Sequence, residues 1–508
     1  MSSEQEDTTR RDVRVLASGA SLSIIGKALG KVFSLLGDIL LARVLGAGLY
    51  GLYAIGWTVY RVISVVSPLG LPQGVIRYLP VYRGNKDPRQ EKGLFFLSIF
   101  LSLLAGVVFG FILFLCAPLI STAFFHKPGL LSVFQLFSLS VPLVSVFTII
   151  TAITRSTQRM KYSVLLEDIG QPLLGLVFLV IVALTFINKL SGAILSNFVS
   201  FCISLVAGLL IVVRLFRNVF IPSVKPDYSV TREVILYSIP TSLAGIFSVY
   251  VFWIDRLIVG ILLSASLNGI YQVASQVSML FVIIYAAFNA ILTPMFSHLF
   301  SGREHARLEE IYRVGTKWCF YLSIVPFIIL LLYSSEIITF VFGSEYSNGY
   351  IALVILSLGQ VINCATGSIG ALLMMTGNQK LWFRLTVGSF LLNALFCLIL
   401  IPKFGLVGAA AGTALSVGGM NILAVTLGKW KLDLWPYDRR YLKGLVSGSI
   451  AVLSGYFLRI LMVPSIQTVL FSSLVILIIF LGSLVLFKFD SEDKMFISMV
   501  IQKIGRRA

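Results

Sequence analysis

Near its start the chain contains Gly26-Lys-Ala-Leu-Gly-Lys-Val-Phe-Ser-Leu-Leu-Gly-Asp-Ile-Leu-Leu-Ala-Arg43, part of an apolar run long enough to cross a membrane. On a helix, Lys27 and Lys31 lie about 40° apart and Lys31 and Asp38 about 20° apart, so all three charges share one face. Charges at bilayer depth cost roughly 2.5–3.5 kcal/mol each on insertion scales. This face therefore predicts a helix bundle interior or a water-filled cavity, on the path of an anionic or ion-coupled substrate.

A second interpretation of the same stretch applies to its lysines. If they lie near the cytoplasmic end of the helix, their long side chains can reach the headgroups. This interpretation suits Lys27 better than Lys31, and it does not account for Asp38.

The composition identifies the class of protein. Of the 508 residues 57% are hydrophobic and 12% are charged, whereas soluble domains carry about 25% charged residues. We expect a multi-pass protein of the cell membrane, without a cleavable signal peptide because the first ten residues are polar and mixed in charge. The net charge of +18 comes from short loops scattered between apolar runs, a pattern of membrane topology that does not predict nucleic-acid binding.

Nothing in the sequence predicts catalysis or a metal site. The five cysteines all fall in apolar runs without C-x-x-C spacing, which indicates packing residues. The three histidines are far apart, and the stretch Gly19–Lys27 has the wrong glycine spacing for a phosphate-binding loop. The outer loops are too short for the acidic motif of a membrane glycosyltransferase or polymerase.

Apolar runs of about 20 residues predict fourteen membrane-spanning helices, near 18–42, 50–70, 93–120, 131–153, 163–187, 191–213, 235–263, 269–297, 314–335, 349–375, 382–402, 405–428, 443–463 and 465–487. With the N-terminus in the cytoplasm, the outer segments hold only five of the 40 lysines and arginines, namely Arg43, Lys127, Lys189, Lys403 and Arg459. A missed helix would destroy this alternation. The charge pattern therefore places both termini in the cytoplasm.

An internal repeat organises these helices. Asp38–Tyr53 resembles Asp255–Tyr271 with one insertion, and the two aspartates are 217 residues apart. Two further pairs, Gln158-Arg159 with Gln379-Lys380 and Gly192 with Gly408, recur at nearly the same spacing. Six spans separate equivalent positions, so the repeats share one orientation. The predicted architecture is two parallel six-helix lobes around a central cavity, at 1–218 and 230–430, followed by an extra helix pair at 440–490 and a cytoplasmic tail at 491–508.

Other charged residues within the spans have two interpretations each. Glu167 and Asp168 either serve function or pair with basic residues at the cytoplasmic boundary, namely Arg155, Arg159 or Lys161. Asp255, the repeat partner of Asp38, either functions with Arg256 or holds the seam of the lobe. Arg61 in the second span completes the set.

Uncharged polar and small residues in the spans complete the candidates. Gln272 and Gln276 are four residues apart on one helix face, where lining a cavity is the favoured interpretation over interhelical bonding. The pairs Gly26/Gly30 and Gly408/Gly412 predict close helix packing.

Two stretches resemble a known family, the oligosaccharide flippases of the multidrug/oligosaccharidyl-lipid/polysaccharide exporter superfamily. Asn393–Thr413 resembles the family's eleventh-to-twelfth helix hairpin. Asp38–Gly48 resembles the end of its first helix, which the related lipid II flippase shares. The resemblance implies an all-helical membrane transporter that moves a polyprenyl-(pyro)phosphate-linked oligosaccharide from the inner to the outer leaflet by alternating access, for cell-surface polysaccharide or glycan synthesis.

The resemblance also implies a cavity lined by the first, second, seventh and eighth helices. On this interpretation the phosphate binds to four basic residues, Lys27, Lys31, Arg61 and Arg256. Asp38 and Asp255 serve ion coupling or gating, and Gln272 and Gln276 face the sugar. Candidate aromatic platforms for sugars are Tyr60, Tyr250 and Trp253. In the lipid II flippase an arginine precedes the aspartate that matches Asp38; here Gly37 stands there, and Lys31 is the proposed substitute.

The resemblance implies no cofactor and leaves proton or sodium coupling open. Its expected partners are the lipid-linked oligosaccharide and membrane lipids, with a glycan polymerase or glycosyltransferases as candidates, and no nucleic acid. Two rival functions stay open. One is a cation-coupled multidrug antiporter of the same superfamily, which favours an acidic cavity and twelve spans. The other is a non-transporting scaffold of envelope assembly.

Overall fold

The computed structural model describes residues 3–85, 87–157, 160–185, 188–220, 224–229, 231–250, 253–463, 465–488, 490 and 492–494, with only the backbone at 3–24, 218, 220 and 241–250. These residues form helices joined by short connections, and the described part of the chain contains no β-strand. The expected all-helical class is therefore confirmed. The helices group into two compact units, Met1–Gln272 and Val273–Ala508.

The first unit holds most of the helices. They are α1 (Ser3–Val66), α2 (Leu71–Gly84), α3 (Pro88–Leu119), α4 (Leu130–Ser138), α5 (Ser140–Ser156), α6 (Met160–Ser163), α7 (Gln171–Thr185), α8 (Lys189–Leu215), α9 (Thr231–Tyr250), α10 (Ile254–Leu262) and α11 (Ala265–Ser278), whose last residues belong to the second unit. Two segments, Ile120–Phe124 and Val164–Gly170, are π-helical. A core between α2, α3, α5 and α8 includes Leu71, Leu94, Ile149, Ile153 and Val212.

The second unit continues with seven helices in the described part of the chain. They are α12 (Phe281–Ser301), α13 (His305–Val341), α14 (Tyr350–Ala365), α15 (Ile369–Met375), α16 (Gln379–Leu432), α17 (Arg439–Leu461) and α18 (Ile466–Leu486). One core cluster joins α12, α13, α15 and α16, and a second joins α13 to α17 and α18.

Eleven helical segments among the described residues are long and apolar enough to cross a membrane. Their outward faces carry large apolar side chains, as on α3, where Phe100 is 62% and Phe111 60% exposed. A helix that is apolar on its outer face requires lipid around it, because water would make that exposure costly. The chain is therefore a multi-pass membrane protein.

Two of these segments contain a break at a glycine. In α1 the backbone leaves the helix at Gly46, with φ 69° and ψ 169°, and in α16 it does so at Gly405, with φ 57° and ψ −129°. Positive φ values favour glycine because it has no Cβ. Each break divides a segment that is much longer than the roughly 20 residues needed for one crossing.

The two halves of the predicted repeat meet at a reciprocal helix crossing. A Cβ at Gly51 in α1 would lie 1.7 Å from the carbonyl oxygen of Ala265, and a Cβ at Gly269 in α11 would lie 2.3 Å from that of Ala47. The amide of Asn268 donates to the carbonyl of Gly51 at 3.2 Å. Ala47/Gly51 and Ala265/Gly269 are both offset by 218 residues, the period of the repeat after its insertion.

In the second unit, a buried ion network joins residues 490 and 492–493 to α13 and α17. Lys317 of α13, with 3% of its side chain exposed, pairs with the carboxylates of Asp490, Glu492 and Asp493, the last at 2.9 Å. Lys443 of α17 donates to Asp490 at 2.7 Å. The described residues that follow α18 therefore bind back onto α13 and α17, a contact that was not predicted from the sequence.

A valine at position 51 should prevent the reciprocal crossing. Gly51→Val places carbon atoms where the Ala265 carbonyl lies, and we expect a loss of stability at or above the upper end of the about 1–3 kcal/mol typical of overpacking. The measurement is the melting temperature of the purified protein in detergent. Gly48→Ala is the matched control, because a Cβ there meets no atom within 4 Å; it should leave the melting temperature unchanged or raise it slightly.

Removing the buried lysine should destabilise the second unit. Lys317→Met removes the buried cation that Asp490, Glu492 and Asp493 share, and breaking a buried ion pair typically costs about 3–5 kcal/mol. Thermal unfolding should show a clearly lower midpoint. Arg307→Met on the same helix breaks an ion pair whose arginine side chain is 70% exposed and should change little. Equal midpoints for the two variants would contradict this account.

Candidate functional site

A cavity of about 360 Å³ opens within the first unit, between α1, α5, α7, α8 and the π-helical segment Val164–Gly170. Three of the predicted phosphate-binding residues, Lys27, Lys31 and Arg61, line it together. Lys27 and Lys31 lie one turn apart on the first part of α1, and Arg61 lies beyond the break at Gly46. The sequence predicted these residues for one site, and the structure brings their side chains to one cavity.

Two glycines of α1 allow the opposite wall of this cavity to approach. A Cβ at Gly30 would lie 1.8 Å from the carbonyl oxygen of Asp168, and a Cβ at Gly26 would lie 2.1 Å from a methyl carbon of Val164. The close packing predicted for Gly26/Gly30 is confirmed. It is also present at Gly408, where a Cβ would lie 2.2 Å from the carbonyl oxygen of Leu400.

The two acidic residues of the π-helical segment have different environments. Glu167 forms an ion pair with Arg155, one of the pairings that the sequence suggested; Arg159 lies outside the described residues. Asp168 lines the cavity and interacts electrostatically with Lys27. Single turns of π-helix occur frequently at functional sites because they change the direction of side chains.

Aromatic rings form one side of the cavity. Trp57 lines it, and the guanidinium of Arg61 lies 5.5 Å from the centre of the Trp57 ring. Of the three predicted sugar platforms, Tyr60 is fully buried and packs on Phe137, with the two ring centres 5.2 Å apart. Trp253 lies under Arg256, 4.5 Å from its guanidinium. The side chain of Tyr250 lies outside the described residues.

Asp38 and Arg256 belong to a neighbouring charged group that the same helix carries. Asp38 accepts a hydrogen bond from the hydroxyl of Tyr50 at 3.4 Å and interacts electrostatically with Lys31 and Arg256. Arg256 is buried, with 4% exposed. Lys31 is therefore the residue shared by the cavity and this charged group.

Asp255 is buried and held on two sides. It accepts hydrogen bonds from the hydroxyl of Tyr271 at 2.7 Å and from the backbone amide of Arg256 at 2.8 Å. Gln272, on the helix after it, is 4% exposed, and Gln276 is half-buried. Neither glutamine lines the cavity described above.

Part of the cavity wall lies outside the residues that the sequence predicted. Trp57, Thr148, Thr151 and Gln171 were not predicted. The sequence did contain the hydrogen-bond donors of the two aspartates. The repeat stretches Asp38–Tyr53 and Asp255–Tyr271 include Tyr50, which donates to Asp38, and Tyr271, which donates to Asp255.

Comparison with known proteins identifies the family. A family model described as "Polysaccharide biosynthesis protein" matches residues 16–300, more than half of the chain. The chain belongs to the polysaccharide biosynthesis protein family. A second model, MatE, matches residues 240–399.

Relatives of this polysaccharide biosynthesis protein include two from Haloferax volcanii. One, named a probable low-salt glycan biosynthesis flippase, is 30% identical over 43% of this chain and 47% of its own length. The other, a probable flippase, is 31% identical over 34% of this chain and 37% of its own length. The chain thus matches less than half the length of either relative.

Solved structures share the fold of this polysaccharide biosynthesis protein. A lipid II flippase in an inward closed conformation superposes with a TM-score of 0.71 at 16% identity, covering 92% of this chain and 98% of that one. An inward-facing multidrug resistance transporter of the MATE family gives a TM-score of 0.65 at 18% identity, covering 81% of this chain and 98% of that one. The fold is that of this exporter superfamily.

The two aspartate–tyrosine pairs of this family member should differ in strength. Tyr271→Phe removes a 2.7 Å hydrogen bond to a buried carboxylate, and hydrogen bonds to charged groups contribute about 1.5–3 kcal/mol. Tyr50→Phe removes a 3.4 Å contact and should cost less. Thermal unfolding of the two variants checks the order, and a larger loss for Tyr50→Phe would contradict it.

Proposed function

We propose that the protein is a flippase that moves a polyprenyl-(pyro)phosphate-linked oligosaccharide from the inner to the outer leaflet by alternating access, for cell-surface polysaccharide or glycan synthesis. The observation that carries this proposal is the cavity that Lys27, Lys31 and Arg61 line together at the depth of the spans. The names of the two Haloferax relatives and the family support it.

The electrostatics of the cavity suit a phosphate group. Coulomb attraction between unit charges at 4 Å rises from about 1 kcal/mol in water to about 4 kcal/mol near a protein surface. Charge-assisted contacts from lysine and arginine to phosphate are also the strong class of hydrogen bond. We assign the phosphate to Lys27, Lys31 and Arg61, with Arg256 contributing through its interaction with Lys31.

We assign ion coupling or gating to the aspartates. Asp38 interacts with both Lys31 and Arg256, so a proton or sodium ion bound there would alter the charge that the phosphate meets. Asp255 takes the same role at its tyrosine-bonded position. Gln272 and Gln276 remain proposed contacts to the sugar.

We propose fourteen spans with both termini in the cytoplasm. Eleven candidate segments are found among the described residues. Gly46 and Gly405 each divide one of them into two crossings, and α9 with α10 supplies the remaining span. The period shared by the Ala47/Gly51 and Ala265/Gly269 pairs supports two parallel lobes, 1–218 and 230–430, with α17 and α18 as the extra pair.

The proposed setting follows from this substrate. The protein would act in the cell membrane as a transporter without catalysis, and receive its lipid from glycosyltransferases. A glycan polymerase is the proposed consumer of the product on the outer side. We propose no cofactor other than a coupling ion.

One rival, a cation-coupled antiporter, draws support from the MatE match and from Asp168 in the cavity. The three basic residues on the facing wall disfavour a cationic substrate, since like charges repel in a site of low dielectric. A scaffold without transport would show no lipid movement in reconstituted vesicles.

Neutralising Lys31 should impair export. Lys31→Met removes a charge-assisted phosphate contact worth about 1.5–3 kcal/mol, so the rate of lipid translocation in proteoliposomes should fall at least about tenfold. Lys31→Arg should retain most of the activity, because the charge is kept. The assay follows a fluorescent lipid-linked oligosaccharide at equal protein content.

The matched control is Lys189→Met, which removes an exposed lysine at the start of α8 that does not line the cavity. It should translocate at the rate of the unmodified protein. Unchanged translocation in Lys31→Met would overturn the phosphate assignment, and absence of lipid movement in the unmodified protein would favour the scaffold.

A further inference from the structure

The cavity has two walls of opposite hydrogen-bonding character. Lys27, Lys31 and Arg61 form a wall of donors, since ammonium and guanidinium groups cannot accept hydrogen bonds. Most of the other polar lining residues come from α5, α7 and the π-helical segment, and this second wall offers acceptors. A bare phosphate needs only the first wall.

The carboxylate of Asp168 is the central acceptor. It is half-buried, lines the cavity, and accepts no hydrogen bond from any residue that the structure describes. Its neighbour Glu167 forms an ion pair with Arg155, whereas Asp168 has no ion-pair partner within salt-bridge distance among the described residues. A desolvated carboxylate without a donor is costly unless a ligand or water supplies one.

Three further side chains present acceptor atoms beside it. The Gln171 amide donates its NH₂ to Ser200 at 3.4 Å, which leaves its carbonyl oxygen free for a donor. The hydroxyls of Thr148 and Thr151 donate to the backbone oxygens of Val144 at 2.7 Å and of Thr148 at 3.0 Å. With their hydrogens committed, both threonines can only accept from a ligand.

The size of the cavity limits what it can hold. Its volume of about 360 Å³ lies at the lower end of the roughly 300–1,000 Å³ found for small-molecule sites. There is room for a phosphate group and about one sugar ring, and Trp57 contributes an apolar surface to the wall. A longer glycan would have to extend out of the cavity.

We propose that Asp168, Gln171 and Thr151 form the binding site for the first sugar of the lipid-linked glycan, the residue attached to the diphosphate. Sugar hydroxyls and amide N–H groups are donors that match this wall, while the diphosphate matches the lysine and arginine wall. The inference rests on the proposed flippase function. It adds a site for the first sugar to the sugar contacts proposed for Gln272 and Gln276.

The test compares ligands with and without a sugar. The probes are farnesyl diphosphate and its conjugates with N-acetylglucosamine and with glucose, bound to the purified full-length protein in detergent micelles. The unmodified protein should bind at least one conjugate more tightly than farnesyl diphosphate. Asp168→Asn should weaken that conjugate about fivefold to tenfold, because the asparagine oxygen accepts a neutral hydrogen bond where the carboxylate accepts a stronger, charge-assisted one.

The direction in which Asp168→Asn changes the affinity for farnesyl diphosphate separates a sugar site from a loss of phosphate binding. Asp168→Asn removes a negative charge near Lys27, so farnesyl diphosphate should bind as tightly as before or more tightly. Gln171→Met, a second variant, should also weaken the conjugate and spare the bare diphosphate. Asp433→Asn is the control, because it removes one exposed carboxylate at a left-handed position that asparagine tolerates.

Several results would contradict the proposed sugar site. Equal loss for both kinds of probe in Asp168→Asn would mean that the carboxylate only positions Lys27, and no preference for any conjugate in the unmodified protein would also overturn the sugar site. The lipophilic cation tetraphenylphosphonium is a further probe. If Asp168→Asn weakens the binding of this cation and of no lipid probe, Asp168 is a cation site and the sugar site fails. Lys31→Met separates the two proposals: if it weakens all lipid probes while Asp168→Asn weakens none, the phosphate site stands and the sugar site fails.

Discussion

A charge placed at membrane depth must meet an opposite charge or water, and this constraint shapes the first unit. Lys31 lies where both are available: it lines an open cavity and interacts with Asp38 on its own helix. Arg256 brings a second positive charge into the same electrostatic group. Lys31 shares the cavity lining with Lys27 and Arg61, and three basic side chains at one cavity favour an anion there.

Close backbone contacts at glycines allow this arrangement to exist. Gly26 and Gly30 bring the π-helical segment against α1, which sets Asp168 opposite the lysines. Gly51 and Gly269 bring α1 against α11 in the same manner. Since lipid does not drive helices together as water does, small residues that permit intimate packing supply much of the association between helices in a membrane. The polar site depends on these apolar contacts.

The sequence predicted what depends on local chemistry. Hydropathy gave the helical class, and the charge spacing on one helix face gave Lys27 and Lys31 as neighbours. It also gave Gly26 and Gly30 as a close-packing pair, but it could not name their partner, because that depends on which helices meet. Asp168 and Gln171 were therefore missed as one wall of the cavity. The binding of Asp490 to Lys317, 173 residues earlier, was missed for the same reason.

The repeat preserves the two aspartates and the glycines of the helix crossing, but it does not preserve the lysines that line the cavity. Both aspartates accept a hydrogen bond from a tyrosine, although the offset of 218 residues pairs Tyr271 with Tyr53 and not with Tyr50. The offset that relates the two aspartates places Ala244 and Ser248 at the positions of Lys27 and Lys31. All four basic residues assigned to the phosphate lie in the unit Met1–Gln272. In the proposed flippase, the phosphate would keep the same ligands while access to the cavity changes. Binding and gating can then use different residues, the basic side chains for the first and the repeated aspartates for the second.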